Sequence, residues 1–199
     1  MERIEKVFKK LKDKKLIPVW LKLEKSTFTS NFGSGPIDRI QKRISYSPKY
    51  ATIAENALIF TLLHEAHHAQ SKQRSDLVLL LTPLLGLIGL SLVHYYQIRY
   101  LEIALQPGAH ILWSILILGL LWFYFKSWLK QDEIDADLWA AIQMKDKLNI
   151  KKPSNALKAT LKELTVGAKT NRLVRVIASS IDYHPSEEER LRLIRVYES

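Results

Sequence analysis

Two long stretches without a charged residue constrain this chain more than anything else in it: Leu77 to Ile98 and Ile103 to Phe125. A helix of about 20 residues spans roughly 30 Å, the thickness of a bilayer's hydrocarbon core. Only Arg99-Tyr100-Leu101-Glu102 separates the two stretches, so the pair reads as a helical hairpin through a membrane. The alternative is two buried helices of a soluble bundle, but both runs exceed the roughly 10–14 apolar residues usual for a buried helix. The aromatic groups Tyr95-Tyr96, Trp113 and Trp122-Phe123-Tyr124 lie towards the ends of the runs, where amphipathic rings favour the membrane interface.

Charge orients this hairpin. Residues 1–76 carry 15 Lys+Arg against 8 acids, and residues 126–199 carry 14 against 11. Positive segments stay cytoplasmic, so both polar parts are expected there, in an integral membrane protein. The N-terminal Met-Glu-Arg-Ile-Glu-Lys has no apolar core, and no secretory signal is expected. The net charge of +10 reads first as topology and attraction to anionic headgroups. Nucleic acid is not an expected partner, because no motif interleaves aromatic and basic residues. With 47% apolar and 25% charged residues, a disordered chain is excluded. The absence of cysteine excludes a disulfide scaffold, an iron–sulfur cluster, a thiolate zinc site and a thiol nucleophile.

The polar parts carry mixed periodicities. Ile4, Val7, Phe8 and Leu11 recur at helical spacing, giving an amphipathic helix that lies on the domain or on a membrane surface. Val19 to Glu24 and Ile40 to Tyr46 alternate as strands do, the second with basic residues suited to a sheet edge. Ala51 to Gln70 reads as a helix. Lys126 to Leu148 reads as another, continuing the second uncharged stretch. Further helices are expected from Pro153 and over Glu187 to Tyr197, with a short apolar segment at Val174 to Ile181.

The strongest chemical signal is His64-Glu65-Ala66-His67-His68, an H-E-x-x-H pattern. Helical residues four apart share a face, so His64 and His68 can present both imidazoles to one metal ion. Glu65, rotated by about 100°, reaches a metal-bound water rather than the metal. Zinc suits such a site, because it accepts nitrogen and oxygen donors and lowers the pKa of bound water to about 7. A catalytic zinc needs a third protein ligand. Glu133 supplies a candidate, with Asp137 four residues on to hold a ligand imidazole by its other nitrogen. The plain alternative for Gln131 to Asp137 is an acidic, solvated helix face.

Taken together, His64-Glu65-Ala66-His67-His68, Glu133-Ile134-Asp135-Ala136-Asp137 and His184-Pro185-Ser186 with Glu189-Arg190 resemble the motifs of HtpX-like and CAAX-prenyl-protease membrane metallopeptidases, which are gluzincins. The resemblance covers roughly residues 38–75 and 126–197. It implies a mainly helical α+β zincin-like metallopeptidase domain with a small β-sheet. That domain would be built from residues 1–76 and 126–199 and interrupted by the transmembrane hairpin over residues 77–125. It implies one zinc ion on His64, His68 and Glu133, with Glu65 as catalytic acid/base, Asp137 orienting a ligand histidine, and His184 near the cleft as an oxyanion donor. For His184 a turn residue packed beside Pro185 is the competing reading. His67 fills a variable position, and His94 and His110 need no functional role. The chain departs from the family in having no spanning helix before the zinc motif, and in Asp182-Tyr183 where many relatives have a small residue before the third motif.

The implied reaction is hydrolysis of peptide bonds in membrane-associated or misfolded polypeptides at the cytoplasmic face. Two other classes remain open. His64-x-x-His67-His68 also matches a histidine box of membrane di-iron oxidases and desaturases, although the chain's six histidines are few for two irons. An inactive membrane scaffold that keeps zinc for stability is the other, but it has no need of Glu65. The natural substrate and the oligomeric state are not encoded in any motif.

Overall fold

A computed structural model describes residues 2–26, 38, 41–48, 52–70, 85–86, 88–92, 95–96, 107–165 and 184–199, with the side chains of residues 107–114, 121, 125, 164 and 165 outside that description. Two compact units emerge: Met1–Lys72 with Lys130–Ser199, and Gln73–Leu129. The first holds every residue considered below for chemistry.

Helix α1 (Arg3–Asp13) opens the first unit, its start fixed by a capping box in which Glu5 accepts from the Glu2 N–H at 2.9 Å. Ile4, Val7, Phe8 and Leu11 are all buried in the protein's own core. Of the two places open to this apolar face, it therefore occupies the domain. Strands β1 (Lys22–Lys25) and β2 (Arg43–Tyr46) pair in parallel, with Lys22 opposite Arg43 and Lys25 opposite Tyr46. Ile44, Ser45 and Tyr46 are buried on β2, which packs on the next helix.

That helix, α2 (Glu55–Gln70), is the centre of the fold. Ala57 to His64 are buried without a break, so α2 has no solvent face over two turns. A helix apolar all round belongs in the middle of a core. Here α1, β2 and helix α4 (Pro153–Thr165) cover it. Complete burial of Leu58, Phe60, Leu62 and Leu63 contributes about 1.5–3 kcal/mol each. The polar residues inside this packing are satisfied: Thr61 and Thr160 both donate to the Ala57 carbonyl, at 2.9 and 3.3 Å.

Helix α3 (Pro107–Ile142) runs for 36 residues and ends in a π-helical turn at Gln143–Lys147. Its last turns bury the small side chains of Ala136, Ala140 and Ala141. Helix α5 (Glu187–Glu198) starts at Ser186, whose hydroxyl accepts from the Glu189 N–H at 3.2 Å. The Glu198 carboxylate then caps the start of α4, accepting from Ser154 N–H and Oγ at 2.6 and 2.8 Å. A carboxylate at a helix N-terminus is favoured by the free N–H groups and the dipole there. Lys145, from the π turn, donates to the Tyr197 and Glu198 carbonyls at the other end of α5. Helices α3, α4 and α5 are thus tied at their ends.

The transmembrane hairpin expected over residues 77–125 is overturned. Among the described residues, no helix is long and apolar enough to cross a membrane. The second uncharged stretch is not a self-contained span. From Pro107 on it is the opening of α3, which continues without a break through Lys126, Lys130, Asp132, Glu133 and Asp137. In the first stretch, Leu77 to Ile98, the described residues are helical at 85–86, 88–92 and 95–96. Val174 to Ile181 lies outside the described residues.

Candidate metal centre

The buried helix α2 ends in the turn that carries His64, Glu65, His67 and His68. Spacing by four residues stacks His64 and His68 along one face, with their rings edge to face at a centroid distance of 4.7 Å. Both are buried, and their Nε2 atoms are 3.1 Å apart. Glu133 of α3 enters from the opposite side. Its Oε1 lies 3.2 Å from His68 Nε2 and its Oε2 lies 3.6 Å from His64 Nε2. His64, His68 and Glu133, all buried, each offer one ligand atom within 4.8 Å of the others, so the group could hold a metal ion.

The far nitrogens of both rings are held as well. His64 Nδ1 is 2.9 Å from Asp137 Oδ1, and His68 Nδ1 is 3.0 Å from Asp132 Oδ2. A carboxylate only accepts, so each Nδ1 carries a proton and donates it, which leaves Nε2 as the ring atom turned towards Glu133 and available to a metal ion. Asp137 is anchored in turn by Arg190 of α5, whose Nε and Nη2 donate to its two oxygens at 2.5 and 2.7 Å. The centre is therefore a relay across three helices: α5 fixes α3 through Arg190 and Asp137, and α3 fixes both imidazoles of α2.

The electrostatics favour a cation at the point of convergence. Three acids stand around the histidine pair, Asp132, Glu133 and Asp137, of which Asp137 is paired with Arg190, and α2 presents the negative end of its dipole. Burial disfavours charge on His68, yet the hydrogen bonds to Asp132 and Glu133 outweigh it and push its pKa up to about 10. Burial likewise opposes ionisation of Glu133, but the His68 hydrogen bond and the neighbouring histidine charges hold its carboxyl far below the ordinary range. Asp137, also buried, is held down by His64 and Arg190. Arg190 is raised, because Asp137 overcomes its desolvation.

The remaining candidates take different positions. Glu65 is half-buried, one residue along from His64, and its charge is felt by both His68 and Arg190. His184 stands at the mouth of the centre, 46% exposed, with Nε2 3.8 Å from Glu133 Oε2. Its neighbour Pro185 is buried. His67 packs its ring on Trp139 at 5.5 Å, and burial pushes its pKa down. His94 and the His110 side chain lie outside the described residues, as do Asp182 and Tyr183. Two participants escaped the sequence reading: Asp132 on His68, and Arg190 as the anchor of Asp137. The available signal was an acid immediately before Glu133 and another four residues after it.

No family model, curated protein or solved structure matches the chain.

Proposed function

We propose that the chain is a zinc metallopeptidase that hydrolyses peptide bonds in polypeptide substrates. What carries the reading is the spacing of the donors. A tetrahedral zinc with bonds of about 2.0–2.1 Å separates its ligands by roughly 3.3 Å. The two imidazole Nε2 atoms are 3.1 Å apart, and the Glu133 carboxylate reaches His68 with one oxygen at 3.2 Å and His64 with the other at 3.6 Å. Two nitrogens and one oxygen suit zinc better than calcium or magnesium, which prefer oxygen donors. Three protein ligands leave one coordination position free, the pattern of a catalytic rather than a structural site.

Zinc bound there would supply a Lewis acid for a peptide carbonyl and for water. The chain's own residues provide the rest. Glu65 takes a proton from the attacking water and delivers it to the leaving amide nitrogen, so a single carboxylate serves as base and then acid. His184, exposed at the mouth, donates to the carbonyl oxygen as negative charge develops on it. Asp137 and Arg190 hold His64 still throughout. The di-iron alternative is not favoured: among the described residues there is one metal-capable group, and His67 is engaged with Trp139.

The test compares wild type with Glu65→Gln on a peptide library, with chelator and after zinc is restored. Wild type is expected to cleave and to lose activity reversibly with the chelator. Glu65→Gln should bind zinc equally and be slower by about 10²–10⁴-fold. Equal rates for the two proteins would refute the mechanism.

A further inference from the structure

We infer that Asp132 is a positioning residue for the metal centre, one that locks His68 in the tautomer and ring orientation that make it a ligand. The inference rests on the metal-centre reading and adds to it a residue outside the three donors.

The geometry is specific. Asp132 Oδ2 lies 3.0 Å from His68 Nδ1, with the carboxylate 18% and the imidazole 5% exposed. A neutral imidazole has one N–H and one lone pair. An acceptor at Nδ1 therefore fixes the lone pair on Nε2, the atom 3.2 Å from Glu133. Asp132 is not a fourth donor, because the oxygen that meets His68 does so across the ring from Nε2. Nor is it one acid of a solvated face. Asp135, on the same helix, shows what such a residue looks like: it is exposed and accepts from Gln131 at 2.9 Å.

Helix α3 makes the arrangement possible. With 3.6 residues per turn, Asp132 stands about 100° to one side of Glu133 and Asp137 about 40° to the other. One turn and a half of α3 thus delivers the third ligand and a carboxylate for each imidazole. His64 receives from Asp137 the constraint that His68 receives from Asp132. Carboxylates behind ligand histidines typically change metal affinity by about 10–100-fold. Without Asp132, the His68 ring is free to place its proton on Nε2 or to turn that atom out of the group.

The experiment measures zinc affinity on the full chain by competition with a chromophoric chelator, and records the visible spectrum of the cobalt-loaded protein. Asp132→Ala is expected to weaken zinc about 10–100-fold and to alter the cobalt bands. Asp132→Asn keeps an oxygen acceptor without the charge, and a loss of about tenfold is expected. Because it is isosteric, it carries the test if the alanine variant does not fold. Asp135→Ala removes the same charge nearby without touching His68, and should bind zinc like wild type with an unchanged cobalt spectrum. The inference is overturned if both Asp132 variants match wild type, or if Asp135→Ala weakens zinc as much as they do. Wild type that binds no zinc would overturn the metal-centre reading itself, which a zinc-binding wild type with unaffected Asp132 variants would leave standing.

Discussion

Asp137→Asn makes a sharp test of how the centre is held together. The Asp137 carboxylate is 3% exposed and accepts from His64 at 2.9 Å and from Arg190 at 2.5 and 2.7 Å. The Arg190 side chain is 9% exposed. Neutralising the aspartate leaves a buried guanidinium without the counter-charge it is hydrogen-bonded to, and removing one partner of a buried pair costs about 3–5 kcal/mol. For a chain of this length each kcal/mol shifts the midpoint by about 2–4 °C, so the melting temperature should fall by about 6–20 °C. Arg190→Met should fall by a similar amount, because it leaves the carboxylate buried against His64 alone. The double variant removes both charges and should recover most of the loss, giving a coupling energy of at least about 2 kcal/mol in the cycle. Zinc affinity should behave differently: the double variant still lacks the carboxylate behind His64 and should stay about 10–100-fold weaker than wild type. Thermal and urea unfolding with chelator give the stabilities, and chelator competition gives the affinities. Single variants that each lose less than about 1 kcal/mol, with no coupling between them, would refute the reasoning.

Other outcomes follow from the same geometry. Without metal, stability should depend on pH through His68, whose pKa rises from about 6.5 to about 10 on folding. A raised pKa contributes stability that is complete below about pH 6.5 and lost as pH rises towards 10, so urea midpoints in chelator should decline over that window and His68→Leu should flatten the decline. Glu133 and Asp137 act in the opposite sense, since their depressed values contribute stability above about pH 4 that is lost on acidification. Zinc at 100 times its dissociation constant should raise stability by about 2.7 kcal/mol in wild type and not in His64→Ala. His184→Ala should keep zinc affinity while losing about 10²–10³-fold in kcat, as loss of an oxyanion donor does; an unchanged kcat would reduce His184 to a turn residue.

Much of the centre could be read from residue spacing, and the reasons are local. His64 and His68 sit four apart in a segment that must be helical, so their common face follows from the helix period alone. Glu133 and Asp137 share a face by the same rule, and the resemblance to gluzincin motifs joined the two pairs. Asp132 and Arg190 could not be read this way. Whether an acid beside a ligand faces solvent or a histidine depends on how far α3 lies from α2 and how it is rotated. Small residues at Ala136, Ala140 and Ala141 bury that part of α3. The continuation of the second uncharged stretch into a charged helix was read correctly, as were the starts of α4 and α5. The hairpin was misjudged because a count of uncharged residues ignores what the helix does next. Alternation over Ile40 to Tyr46 predicts a strand, and β2 forms over Arg43–Tyr46 in a sheet of two strands, with Arg43 paired with Asp38 and Glu24.

X-ray absorption at the zinc edge, on wild-type protein loaded with one equivalent of zinc, is the most direct test of the proposed centre. The expected first shell is two imidazole nitrogens and oxygen donors at about 2.0–2.1 Å, with one imidazole lost in His64→Ala and an oxygen lost in Glu133→Ala. A zinc ion bound without imidazole, or a shell unchanged by either substitution, would contradict a centre built from His64, His68 and Glu133.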